Sequence, residues 1–211
     1  MISHPIYENR DQRVGIFVDV QNMFYSAKSL YQSKIDYSKL LRKILQGRKL
    51  VRAIAYVVQK PDVDQSSFLE ALRRSGFEVK KKELVVRDDG TSKGDWNMGI
   101  ALDAIALADK LDSVVLVSGV GDFVPLVDML KCRGCRVEVV SFDECTSNDL
   151  IRSCNQFVRI NETVLFKEEK FVKEQEAAEA EAEAEAESYE EELDVPEAFQ
   201  GYPHSYDPDE L

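Results

Sequence analysis

Short apolar, β-branched runs alternate with amphipathic stretches along the first 165 or so residues of the chain. RVGIFVDV (13–20), VRAIAYVV (51–58), SVVLVSG (113–119) and RVEVVSF (136–142) have the composition that strands buried on both faces of a parallel sheet require. FEVKKKELVV (77–86) reads as a further strand and QFVRI (156–160) as a last one. Helices are predicted between them. One runs from about Met23 to Tyr31. A second runs from Tyr37 to Gln46, where Asp36 or Ser38 can cap and Leu40, Leu41, Ile44 and Leu45 recur at helical spacing. DVDQSSFLEALRRSG (62–76) carries acids in its first turn and Gly76 past its end. WNMGIALDAIALADKL (96–111) suits a largely buried helix, with Met98, Ile100, Ala101, Leu102, Ile105 and Leu107 as its apolar set. Phe123 to Arg133 and the short SNDLIRSC (147–154) complete the series, and DDGTSKGD (88–95) is rich in turn residues. Right-handed crossovers place helices on both faces of such a sheet. The fold class expected is therefore α/β, a three-layer doubly wound domain with a mainly parallel sheet and its ligand site at the carboxyl ends of the strands.

This periodicity stops after Phe166. The remainder, rich in Glu and Ala and closing with Pro196, Pro203 and Pro208, offers almost no apolar face to dock. The organisation expected is an N-terminal extension over 1–12, a domain over 13–165 and an acidic tail, helical or disordered, over 166–211. The division changes the meaning of the charge. Of the chain's formal −12, the segment from Lys167 to Leu211 carries three lysines against seventeen acids, a net of −14, so residues 1–166 stand at +2. The domain is not acidic, and two basic clusters within it are suited to a phosphate backbone: Lys39, Arg42, Lys43, Arg48, Lys49 and Arg52, then Arg73, Arg74, Lys80, Lys81, Lys82 and Arg87. Each would equally serve as a solvated face. The same holds for the tail, which could compete with a phosphate backbone for these clusters or simply confer solubility.

No run of eighteen apolar residues occurs, and the first residues show neither a basic nor an apolar leader segment, so a soluble, cytoplasmic protein without a membrane partner is expected. Cys132 and Cys135 form a C-x-x-C, but at the end of a helix that Gly134 would cap, the wrong end for lowering a thiol pKa. With Cys145 and Cys154 lacking a short spacing, buried apolar filler is a better reading than a zinc site. His4 and His204 lie in terminal segments, which leaves no histidine for acid–base or triad chemistry.

Three polar signatures should meet at one sheet edge: Asp19-Val20-Gln21-Asn22, Lys93-Gly94-Asp95-Trp96-Asn97, and Ser118-Gly119-Val120-Gly121-Asp122. A carboxylate at the end of a buried strand is costly unless a hard cation takes its charge, so convergent Asp19, Asp95 and Asp122 point to Mg²⁺ or Mn²⁺. Such an ion can activate water for in-line attack on a phosphodiester.

FVDVQN (17–22), KGDWNMGIALDAI (93–105), LVSGVGDFVPLV (116–127) and GCRVEVVSF (134–142) together resemble the NYN family, LabA-type, of PIN-like nucleases over about residues 13–160. The resemblance implies a metal-dependent ribonuclease. Asp19 would be the central metal ligand, Asn22 would orient it, Asp122 would be a second ligand or position water, and Ser118 would support the loop. Lys93 would join Asn22 and Ser118 in holding substrate. RNA is the implied partner, with homodimerisation left open. Three positions depart from the family pattern: Asn97, Val120 and Asn155 stand where it commonly carries Asp. Asp143, just past the fifth run, is a candidate substitute. Asp103, two turns beyond Asp95 and about 12 Å along the helix, reads instead as a partner for a basic group. The alternative is a catalytically impaired RNA-binding or regulatory scaffold. A phosphoryl-transfer domain with Asp19 as nucleophile is disfavoured by Gln21 at the place of a second acid.

Overall fold

The computed structural model describes residues 10–59, 63–83, 85–86, 92–93 and 95–166. The acidic tail, Arg87 and the side chain of Lys93 lie outside the described residues.

Six parallel strands form one sheet in the order β3-β2-β1-β6-β7-β8: β1 (Arg13–Asp19), β2 (Lys49–Gln59), β3 (Glu78–Glu83), β6 (Ser113–Val117), β7 (Arg136–Ser141) and β8 (Gln156–Arg159). β4 (Val85–Val86) and β5 (Ser92–Lys93) form a separate antiparallel pair. The helices are α1 (Val20–Tyr31), α2 (Tyr37–Leu45), α3 (Ser66–Arg74), α4 (Asn97–Leu107), α5 (Val124–Cys132) and α6 (Asn148–Ser153). The expected doubly wound α/β architecture is the one found.

Side-chain alternation sorts the core into two layers. Val14, Ile16, Val18, Ala53, Ala55, Val57, Val115 and Val117 pack with Met23, Leu40, Ile44, Leu69 and Leu72, so α1, α2 and α3 cover one face. Phe17, Ile54, Tyr56, Val114, Leu116, Val137 and Val139 pack with Ile100, Ala104, Leu126, Leu130 and Leu150, so α4, α5 and α6 cover the other. The chain winds outward from β1 through β2 to β3, then crosses back to β6 on the opposite side of β1. The switch point therefore falls between β1 and β6, where Val18 and Val117 are in register and Asp19 and Ser118 follow them.

The elements depart from the sequence pattern at several points, among them the start of β2 at Lys49 and of α3 at Ser66, which leaves no acid in the first turn of that helix. The first helix starts at Val20 rather than Met23, because the Asp19 side chain is its N-cap and accepts from the Asn22 N–H at 3.1 Å. The run 77–86 is not one strand. β3 follows β2 only as far as the Glu83 to Gln59 pair, where β2 ends, and Val85 and Val86 pair instead with Lys93 and Ser92. Within α4, Met98 and Leu102 are 70% and 61% exposed, which corrects the expectation of a largely buried helix with both in its apolar set; Ile100 and Ala104 face the sheet. The C-x-x-C does close a helix: α5 ends at Cys132, Gly134 takes φ 84°, and Cys135 is buried with its thiol toward the Ala108 carbonyl oxygen at 3.3 Å.

Candidate active site

Asp19 sits at the switch point with only 8% of its surface exposed. One carboxylate oxygen accepts from the Asn22 N–H, and the other accepts from the Ser118 hydroxyl at 3.4 Å. Burial pushes its carboxyl up from the ordinary range; the hydrogen bonds from Asn22, Ser118 and Gln21 pull it down less, and the charge of Asp95 raises it further. Asp19 has no cationic partner among the described residues. The same charge acts on Tyr37, the first residue of α2, whose phenol is driven far above its usual range, chiefly by burial.

The β6 loop is tied to this carboxylate. Asn22 accepts from the Gly119 N–H at 2.9 Å, and the Ser118 hydroxyl accepts from the Val120 N–H at 3.3 Å. Gly119 is needed here, since a Cβ on it would stand 2.3 Å from the Cys145 carbonyl oxygen. Asn22 and Ser118 thus act as braces on Asp19 and its loop.

Asp95 is exposed just before α4, accepts from the Asn97 N–H at 3.2 Å, and is coupled electrostatically to Asp19. Asp122 is exposed in a 3-10 turn over Gly121–Phe123, in the loop that follows β6. Asp143 opens another 3-10 turn and accepts from the Arg159 guanidinium at 2.8 Å, so its charge is already matched. Among the described residues no three His, Cys, Asp or Glu side chains gather at metal-binding range. A divalent ion of the kind that takes one or two carboxylates and completes its shell with water and substrate oxygens asks for no more than the desolvated Asp19 carboxylate and one neighbouring acid.

The departures from the family pattern do not weigh equally. Val120 is half-buried against the apolar layer that includes Trp96, Ala101 and Val124, and Asn97 opens α4. Asn155 lies elsewhere. Its amide oxygen accepts from the Val137 N–H at 2.8 Å, near the start of β7, while the site is beyond the end of that strand. At about 3.3 Å per residue this is roughly 13 Å from the site level. Asn155 is therefore a brace for β7 and removes no carboxylate from the Asp19 edge.

Asp103 has the basic partner expected of it: Lys80 at 2.6 Å, together with the Tyr56 hydroxyl at 2.7 Å. The first basic cluster is largely spent on the fold. Arg48 pairs with Glu138, Arg52 with Glu78, Lys39 with Asp36, and Lys43 donates to Thr163. The sequence pattern marks Lys82 only as one of a basic cluster and Trp96 only as the opening of a helix, and neither signal shows that the two side chains meet. The Trp96 indole N–H donates to the Val57 carbonyl oxygen at 2.9 Å, and Lys82 lies over its ring.

Comparison with known proteins gives the family. The NYN domain model matches residues 13–161. The chain belongs to the NYN domain family. This is a family of PIN-like nucleases that generally use divalent metals. The low amplitude and bright protein LabA of Synechococcus elongatus is 28% identical over 171 residues, covering 75% of this chain and 89% of LabA. An uncharacterised protein of Methanocaldococcus jannaschii is 24% identical over 179 residues, 82% of this chain and 67% of its own length. Among solved structures, a protein of unknown function from Vibrio parahaemolyticus is 39% identical with a TM-score of 0.70, covering 75% of this chain and 98% of that one. No helix among the described residues is long and apolar enough to cross a membrane.

Proposed function

We propose that this NYN domain is a metal-dependent ribonuclease whose site is centred on Asp19 and Asp95. The observation that carries the reading is Asp19 itself, a buried carboxylate at the switch point, braced by Asn22 and Ser118, left without a cation and facing a second negative charge. A group held at such a cost to the fold is characteristic of a functional site. Mg²⁺ or Mn²⁺ would be held by Asp19 and Asp95 and would supply charge neutralisation and activation of water. Asn22 and Ser118 keep the Asp19 carboxylate aimed at the crevice, and Asp122, at the mouth of the same loop, orients water or substrate rather than joining the inner pair. Lys82 and Lys93 offer positive charge to the RNA backbone.

A second reading, an RNA-binding scaffold with impaired catalysis, is favoured by Val120, whose packing against the apolar layer puts a hydrocarbon where the family carries a carboxylate. Incubation of the full chain with labelled single-stranded RNA and Mn²⁺, beside Asp19→Asn and an EDTA control, separates the two. Metal-dependent cleavage lost in the variant supports the nuclease. Retention of RNA without cleavage supports the scaffold, and cleavage undiminished in Asp19→Asn removes this residue from the mechanism.

A further inference from the structure

Trp96 is the chain's only tryptophan, and it is placed as a wedge between helix and sheet edge. Its indole N–H holds the Val57 carbonyl oxygen, and its ring stands edge-on to Tyr56 with centroids 5.3 Å apart. Tyr56 is the β2 residue in register with Asp19, and Val57 is the next along the strand. One hydrogen bond therefore fastens the entry to α4 beside the strand that bears Asp19. Asp95 is the residue immediately before the wedge, with its carboxylate turned back onto the Asn97 N–H.

Two further contacts show that the orientation of the ring is specified. A Cβ on Gly99 would come within 2.5 Å of Cε3 and 2.9 Å of Cζ3 of Trp96, so the indole lies against its own helix where only glycine admits it. On the ring, the Lys82 ammonium sits 4.9 Å from the centroid, a cation–π distance, and no carboxylate among the described residues pairs with it. Any buried indole N–H seeks a partner, so what specifies this orientation is the glycine beneath the ring together with the choice of Val57, next to the residue in register with Asp19.

We propose that Trp96 is the positioning residue of the Asp19–Asp95 site: its N–H bond to Val57 sets the place of Asp95 opposite Asp19, and its face holds Lys82 where the substrate phosphate is met. The inference rests on the function proposed above and specifies how the negative and positive halves of that site are kept in one geometry. Phenylalanine at position 96 keeps a ring face but removes the N–H. Methionine at position 82 keeps the stem but removes the charge.

Because there is no other tryptophan, the emission of Trp96 reports on the site directly. Titrating the full-length protein with Mn²⁺ alone should quench that emission saturably, and Asp19→Asn should abolish the saturation. Mn²⁺ affinity, read by the EPR signal of the free ion, is then compared with affinity for labelled single-stranded RNA in EDTA. Trp96→Phe should weaken Mn²⁺ binding about tenfold, the scale on which groups behind metal ligands act, and leave RNA binding in EDTA within about twofold. Lys82→Met should do the reverse, weakening RNA about fivefold without changing Mn²⁺ affinity. Gly99→Ala displaces the ring without removing it and should shift the emission and weaken Mn²⁺ together. In the Trp96→Phe background the same change should add nothing, because the smaller ring leaves room for the methyl. If Trp96→Phe fails to fold, Gly99→Ala decides. Saturable quenching in the wild type, with Mn²⁺ affinity read by EPR undiminished in Trp96→Phe or Gly99→Ala, overturns the positioning role alone, and unchanged RNA affinity in Lys82→Met overturns its cationic half. Absence of saturable quenching in the wild type overturns the metal site and this inference with it.

Discussion

The two ends of the sheet treat a buried carboxylate in opposite ways. At the amino end Glu138, 5% exposed on β7, is held by both guanidinium nitrogens of Arg48 at 2.7 and 3.1 Å, by the Ser113 hydroxyl at 3.0 Å, and at longer range by Arg136 at 3.5 Å. At the carboxyl end Asp19 is almost as deeply buried but is met only by backbone N–H groups of the first turn of α1 and by one hydroxyl at the limit of hydrogen bonding. Depth of burial does not separate them. The charge balance does: Glu138 is matched by Arg48, whereas Asp19 has no cationic partner among the described residues. A buried ion pair broken on one side is strongly destabilising, whereas an unmatched carboxylate already lowers stability while it stands.

That contrast sets the expected results. Glu138→Ala strands Arg48 in a half-closed site and should cost about 3–5 kcal/mol in urea unfolding while leaving Mn²⁺ affinity unchanged. A loss under about 1 kcal/mol would show that the amino end is not held by this pair. Asp19→Asn should behave in the opposite sense. Asparagine still caps α1, so the variant should lose metal binding yet melt at the same temperature or higher, by about 1 kcal/mol at neutral pH. A clear drop in stability would make Asp19 a structural residue and break the comparison. Val120→Asp with Asn97→Asp should raise RNA cleavage several-fold at a modest cost in packing, whereas Asn155→Asp should leave cleavage as it was; equal gains would contradict the placement of Asn155 at the other end of β7.

The smallest effect concerns pH. Arg13 donates to Asp112 through its side chain and its backbone N–H, and these bonds hold the exposed Asp112 carboxyl at about 2. The folded value lies below the unfolded one. The contribution of the pair is therefore present above about pH 4 and fades as pH falls toward 2. Asp112→Asn should flatten that part of the stability profile and leave the profile above pH 5 parallel to the wild type.

Much of this was legible in the residues. β-branched runs located the strands because burial on both faces demands them, and the polar ends of two runs located Asp19 and Ser118 because a doubly wound order brings those ends together. What pattern does not encode is height along the sheet. Asn155 reads like a member of the acidic edge, yet its place in the connection between α6 and β8 sets it near the start of β7, on the opposite side. The same applies to charge. Arg48 and Arg52 look like a nucleic-acid cluster until strand register brings Glu138 and Glu78 to them. Trp96 was invisible for a different reason, since a directed N–H bond to Val57 depends on a contact between segments 39 residues apart.

The place of β3 at the outer end of the strand order has a consequence for how the molecule meets its own copies. A parallel sheet ending in a bare strand presents unsatisfied amide and carbonyl groups that invite another chain to add on. Here that strand reads EVKKKE, and although Lys80 is paired with Asp103, Lys81 and Lys82 keep positive charge along it. A second copy adding to that edge would meet the same charges, which oppose the pairing. Substitutions that remove Lys81 or Lys82 would therefore also lower the charge that guards the edge.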